Sequence, residues 1–284
     1  MTDRPAGGQI DWLASYPKSG NTWMRLLLAA YFSEREDRHD INAPGVTNGI
    51  ISARSILDNV TGIDSADLTD AETASLVPGM CRTLAANAAK RLWLKVHDAR
   101  FRLSDGRWHL PPEVSGIAVY LLRDPRDVAV SNAFHSGQDL QRAVDRLCDP
   151  DATIGGSSGA QLRQRLGSWR QHVESWIDQR DIPTLVVRYE DMLDDAGREL
   201  ANVLAFARPE ISIDPERIAG AVAKTMFERL QNAESRSGFR ERSPKQARFF
   251  RSGRAGDWRN HLTTAQAERI RAYNGATMAR FGYG

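Results

Sequence analysis

Residues 10–32 read as a strand, a tight loop and a helix, and this succession constrains the chain more than any other feature. IDWLAS is a short apolar run, YPKSGN carries turn chemistry, and TWMRLLLAAYF supplies strong helix formers. A helix start leaves backbone N–H groups unpaired, and its dipole favours negative charge there. Gly20 lets the backbone approach a ligand closely, Lys18 adds a full positive charge, and Ser19, Asn21 and Thr22 add side-chain donors. A phosphate or sulfate fits these groups. An ordinary βα turn with a surface lysine is the competing reading, and the order of strand, donors and helix favours the anion. The usual nucleoside-triphosphate loop, GxxxxGK[ST], is not what stands here: Lys18 precedes Gly20, and no carboxylate is evident at a strand end to hold a metal. An anion whose chemistry needs no Mg²⁺ is the expectation.

Three further strand-like runs follow, RLWLKVH at 91–97, GIAVYLL at 116–122 and TLVVR at 184–188. Asp124 can cap the helix after the second of these, with Pro125 in its first position. Leu162, Leu166, Trp169, Val173 and Trp176 form one apolar stripe of a helical stretch. Asp214-Pro215 opens a helix reaching about Leu230, and a last helix starts near Thr263. Strands alternating with helices predict an α/β fold in three layers, a central, mostly parallel sheet flanked by helices. No repeat or long low-complexity linker divides the 284 residues, so one domain over 1–284 is expected. Its core needs no metal or disulfide staple, because a chain this long buries roughly three-quarters of its unfolded surface. Residues 36–65 and 98–115 read as loops or short helices, and 148–160 as a flexible insertion.

In LWLKVH the period of two puts Lys95 and His97 on one face, near the strand's C-terminal end. Ligands of open parallel sheets bind beyond those ends, so His97 is placed to act as a general base while Lys95 keeps its charge for an anion. A structural histidine is the alternative. Arg123 at a strand end and Ser131 two turns into the next helix can reach the same anion, unless Arg123 merely pairs with Asp124 or Asp127. Residues 236–259 hold eight basic side chains against Glu241 and Asp257, in a chain whose net charge is only +2. FFRSGRAGDW within that segment reads as an ordered loop gripping a phosphate.

The even charge balance argues against a nucleic-acid partner. The apolar run at 26–32 is far short of the roughly 20 residues of a membrane span. MTDRPAGGQID is polar and lacks an apolar secretory stretch, and Cys81 and Cys148 lack metal-ligand spacing. They read as reduced thiols of a cytoplasmic protein, with a single bridge between them as the alternative.

With these residues assembled, the sequence resembles the sulfotransferases that use 3′-phosphoadenosine 5′-phosphosulfate, of the cytosolic and bacterial small-molecule type. YPKSGNTW is similar to that family's 5′-phosphosulfate loop, Arg123 to Ser131 to its 3′-phosphate motif, and RSGRAGDWRNHLT at 251–263 to its RKGxxGDWKNxFT element. The resemblance spans residues 15 to about 268. It implies a P-loop-like fold, the phosphosulfate as co-substrate, adenosine 3′,5′-bisphosphate as product, and no metal. By motif position, Lys18 would meet the bridging and sulfate oxygens, and Ser19, Gly20, Asn21, Thr22 and Trp23 would cradle the 5′-phosphate and the adenine edge. LKVH is similar to the family's KTH, which implies His97 as base and Lys95 as transition-state stabiliser, with Lys18 and Ser131 in the catalytic set. Arg123, Ser131, Arg251, Ser252 and Gly253 would hold the 3′-phosphate, and Tyr189, Thr225 and Phe227 would flank adenine. The family often has threonine at Asn21, which still offers a donor, and lysine at Ser252, where a charge is lost.

The acceptor, a small molecule or glycan with a hydroxyl or amine, is expected among 36–65, 98–115 with Phe101 and Trp108, Phe134 with 136–160, and 234–250, with core packing an equal reading of those aromatics. Arg259, Thr263, Thr264 and Glu268 resemble the family's KxxxTVxxxE dimer motif, which implies a homodimer. A kinase using Mg·ATP on the same fold and a non-catalytic nucleotide-binding protein are the alternatives.

Overall fold

The computed structural model describes residues 9–33, 40–42, 47, 49–156 and 159–284. Parts of the expected acceptor loops 36–65 and 136–160 lie outside them. The sheet has four strands, β1 (Ile10–Ser15), β2 (Leu92–Val96), β3 (Ser115–Leu122) and, last in the chain, the run Thr184–Arg188, in the order 92–96, 10–15, 115–122, 184–188. Every neighbouring pair is parallel, as the sequence predicts. The two central strands are buried at every position, and so read as near-continuous apolar runs.

Helices cover both faces. Leu27 and Leu28 of α1 (Asn21–Phe32) pack with Leu13, Val119 and Leu121 on one face. On the other, Trp12, Ala14, Tyr120 and Val96 meet residues of several helices. Two come early in the chain, α2 (Arg54–Thr61) and α3 (Asp70–Asn87). Two follow β3, α4 (Pro125–Ser136) and α5 (Leu140–Leu147). Asp124 accepts a hydrogen bond from Arg126 N and Pro125 opens α4, the expected start.

The stretch 148–168 corrects the sequence reading. Part of it, read as a flexible insertion over 148–160, holds β4 (Thr153–Ile154), which pairs antiparallel with β5 (Gln164–Arg165) beyond it. Leu162 and Leu166 are buried beside Trp169, Val173 and Trp176, but only the last three are helical, in α6 (Trp169–Ile177). Ser168 forms a capping box with Gln171 and fixes the start of that helix. Apolar residues at helical spacing thus extend one core across an extended segment and a helix. The run Thr184–Arg188 is β6 in chain order. It leads into α7 (Tyr189–Asp194) and α8 (Ala196–Ala207).

The helix expected from Asp214 to about Leu230 is two helices, α9 (Pro215–Lys224) and α10 (Phe227–Ser237). Thr225 breaks them, its hydroxyl donating back to the Ala221 carbonyl at 2.9 Å. The last helix, α11 (Thr264–Arg280), starts at a Thr263 capping box as expected. Cys81 and Cys148 are both free and buried. Among the described residues no helix is long and apolar enough to cross a membrane.

Candidate active site

Because the four strands are parallel, their C-terminal ends emerge on one edge, and the residues just beyond them face a cavity of about 600 Å³. Lys18, Gly20, Asn21, Thr22 and Trp23 enter it from the β1–α1 loop, Lys95 and His97 from the end of β2, and Arg123 from the end of β3. Ser131 lines it from α4, Tyr189 from the start of α7, Thr225 and Phe227 from the break between α9 and α10, and Arg251, Ser252 and Gly253 from the basic segment. Of the expected residues, Ser19 is the one set behind this wall, almost fully buried. A single cavity therefore gathers residues as far apart in the chain as Lys18 and Gly253.

The loop is shaped for a close visitor. Lys18 has φ 74, and among the described residues it alone, glycine aside, has positive φ, at a cost of roughly 1–2 kcal/mol. Strain of this sort collects at functional sites. Gly20 has φ 99, and a Cβ there would stand 2.8 Å from Tyr189 Cδ2. Gly253 has φ 61, and a Cβ there would stand 2.5 Å from Phe227 Cδ2. Each expected adenine-flanking aromatic is thus pressed against backbone that must lack a side chain.

Arg123 fastens the two halves together. Its Nη1 donates to the Lys18 carbonyl at 3.3 Å and its Nη2 to the Arg254 carbonyl at 3.1 Å, while the guanidinium lies 4.2 Å over the Tyr189 ring. The Asp124 and Asp127 partners considered from the sequence are otherwise engaged. Asp124 takes Arg126 at 2.7 Å, and Asp127 accepts from Gly256 N at 2.7 Å and Trp258 N at 2.9 Å. Ser19 Oγ, Trp23 Nε1 and Arg123 Nε are buried and have no hydrogen-bond partner in the protein. Buried polar groups are rarely left so, and Trp23 and Arg123 line the cavity, where an oxygen-rich ligand would bring acceptors.

Two side-chain donors expected in the loop are already spent. Asn21 Nδ2 donates to the Leu13 carbonyl at 2.9 Å and to Ser15 Oγ at 3.3 Å, so it braces β1 rather than offering a donor to an anion. Thr22 donates to Glu241 Oε2 at 3.0 Å. Glu241 also takes Arg25 at 2.6 Å and Lys95 at 3.3 Å. Burial alone would raise its carboxyl; Lys95 and Arg25 outweigh that and hold it at about 2. Sequence reading missed Glu241 as a site residue. Its signal was there, a lone acid among the arginines of 236–254.

His97 Nδ1 lies 2.8 Å from the Ser15 carbonyl, which accepts its proton and leaves Nε2 with a free lone pair. Burial first, and the Lys95 charge second, push its pKa well below the usual histidine value, so the ring is neutral near pH 7. Burial first, then Lys95, also brings Lys18 down to about 7, with its Nζ 4.0 Å over the Phe249 ring.

On the acceptor side the sequence is corrected in part. Phe249, Phe250 and Ile50 line the cavity, but Phe101, Trp108 and Phe134 do not. Phe101 stacks on His109, Trp108 lies between Arg100 and Arg102, and Phe134 packs against His261 and Arg251. Their apolar area is used in local packing with cations.

A family model described as the sulfotransferase domain matches residues 11–282. The chain belongs to the sulfotransferase-domain family. Sulfotransferase 2A2 of Mus musculus is 30% identical over 161 residues, 53% of this chain and 52% of that one. Sulfotransferase 1A1 of Rattus norvegicus is 26% identical over 273 residues, 94% and 83% of the two chains. This sulfotransferase-family chain thus spans about half the length of the first relative. A retinol dehydratase solved in a complex with retinol and PAP superposes with TM-score 0.63 at 20% identity, over 97% of this chain and 82% of that one. Mouse sulfotransferase SULT7A1 complexed with PAP gives 0.59 at 19%, over 95% and 85%. At these identities the likeness is one of fold, and it bears out the three-layer α/β expectation.

Proposed function

We propose that this chain transfers the sulfuryl group of 3′-phosphoadenosine 5′-phosphosulfate to a hydroxyl or amine of a small acceptor. The observation that carries the reading is Arg123 tying the Lys18 carbonyl to the Arg254 carbonyl beside a cavity lined by Trp23 and Arg123, whose Nε1 and Nε lack protein partners. Gly20 and Gly253 supply the close approach such a nucleotide needs. Loop residues 18–23 would receive the 5′-phosphosulfate, Arg123, Ser131 and Arg251–Gly253 the 3′-phosphate, and Trp23, Tyr189, Thr225 and Phe227 the adenine. When bound, the donor supplies an activated S–O bond to phosphate, which breaks as the acceptor's oxygen or nitrogen bonds to sulfur.

The protein's own part is charge and proton control. His97 Nε2 takes the acceptor's proton, and the Ser15 carbonyl fixes the ring for it. Lys18 neutralises charge growing on the leaving phosphate oxygens, and Lys95, held at Glu241 in this structure, would meet the transferring group. Dimerisation through Arg259, Thr263, Thr264 and Glu268 belongs to the same proposal, although Thr263 also serves as the helix cap.

The test is a screen of hydroxyl and amine compounds with labelled donor and mass detection of the added sulfuryl group. It is paired with calorimetry of adenosine 3′,5′-bisphosphate against Mg·ATP. Tight bisphosphate binding with label transfer is expected. Preference for Mg·ATP would favour a kinase, and binding without any transfer would favour a non-catalytic nucleotide protein.

A further inference from the structure

The cavity holds more positive charge than the nucleotide-facing groups account for. Arg146 of α5 and Arg240 of the basic segment both line it, apart from the loop and flap residues assigned to the donor. Arg146 Nη2 donates to Gln138 Oε1 at 3.0 Å, and the backbone N–H of Arg240 donates to Asn42 Oδ1 at 2.8 Å. Neither guanidinium makes an ion pair among the described residues, unlike Arg251 on Asp257 and Arg25 on Glu241. Among the described residues lining the cavity the one carboxylate is Glu241, already bound by Arg25, Lys95 and Thr22. Ile154, Phe249 and Phe250 supply apolar wall in the same cavity. A guanidinium fork matches a carboxylate with two parallel hydrogen bonds.

We propose that the acceptor carries a carboxylate, received by Arg146 with Arg240 as the second cation, while its hydroxyl or amine lies at His97. This rests on the sulfotransferase reading and adds to it the chemical class of the acceptor: an apolar body with a nucleophile and an acid at separate points. Neutral acceptors would leave the Arg146 fork facing an apolar ligand, and cationic ones would meet like charge.

The probe is para-hydroxyphenylpropanoate compared with its primary amide, each titrated calorimetrically into the full chain already saturated with adenosine 3′,5′-bisphosphate. The acid is expected to bind about tenfold more tightly than the amide, a charged hydrogen-bond pair being the difference. R146Q should erase that preference with bisphosphate affinity unchanged, which also shows that the variant folds; R146K should keep part of it, having the charge without the fork. Equal binding of acid and amide, no binding of the acid, or a preference that survives R146Q would overturn the proposal. Loss of bisphosphate binding by the wild-type chain would instead bring down the sulfotransferase reading, and this inference with it.

Discussion

At the scale of single residues, two titrations define the site. Lys18 carries its charge below about pH 7 and loses it above, because burial and the neighbouring Lys95 disfavour the ammonium. An anionic nucleotide needs the charged form, so affinity for adenosine 3′,5′-bisphosphate should weaken as pH rises from 7 to 9, with proton uptake on binding. Calorimetry in buffers of different ionisation enthalpy reads that uptake, and Lys18→Arg, charged throughout, should flatten the dependence. A pH-independent affinity in the wild type would contradict the assignment. His97 shifts in the opposite functional sense. Its neutral form is the base, and its pKa lies well below 6.5, so the His97 limb of kcat/KM should lie on the acid side, below pH 6.5, while any fall above pH 7 belongs to Lys18. His97→Ala should lower transfer by about 10²–10⁴-fold and leave bisphosphate binding intact; near-normal turnover in that variant would remove His97 from the chemistry.

Secondary-structure elements bring these residues together through a few polar fasteners. Asp127 on α4 accepts two backbone N–H groups, from Gly256 and Trp258, and so holds the flap that carries Arg251, Ser252 and Gly253. Asp127→Ala leaves both donors without their partner, at about 1–3 kcal/mol for a buried group and less for a part-exposed one. Bisphosphate affinity should drop at least about tenfold, and Asp127→Asn, which keeps one acceptor, should lie between; equal affinities in all three forms would contradict the fastening role. Gly253→Ala acts at the same joint, since its Cβ would collide with Phe227.

The elements were legible in the sequence where one signal dominated. Continuous apolar strands, Asp124-Pro125 and the Thr263 cap each specify their local structure without help. The break at Thr225 was not legible, because no glycine or proline marks it. Helices α3 and α8 also escaped the sequence reading, although Thr69 and Glu72 form a capping box at the start of α3 and Asp195 caps α8. In the site, the motif residues were found by order and spacing, while Glu241 and the spent donors of Asn21 and Thr22 depend on partners up to 219 positions away. Side-chain hydrogen bonding across such separations has no local sequence signature.

Over the whole molecule, stability and chemistry occupy opposite ends of the sheet. Buried Asp11, near the N-terminal edge, pairs with Arg91 and with Arg208 at 2.7 Å and accepts from Ile117 N. Removing one partner of a buried ion pair typically costs about 3–5 kcal/mol. Asp11→Ala should therefore lower the denaturation midpoint markedly, while the fraction still folded binds bisphosphate as before. Weakened binding without loss of stability would show that the two ends are not independent. At the other end, the account depends on one nucleotide gripped jointly by the Lys18 loop and the Arg251 flap. The most direct measurement is a crystal structure of the chain with adenosine 3′,5′-bisphosphate. The 5′-phosphate is predicted on the backbone of residues 18–23 and the 3′-phosphate between Arg123, Ser131 and Arg251–Gly253. A nucleotide bound anywhere else, or one touching only the loop or only the flap, would contradict it.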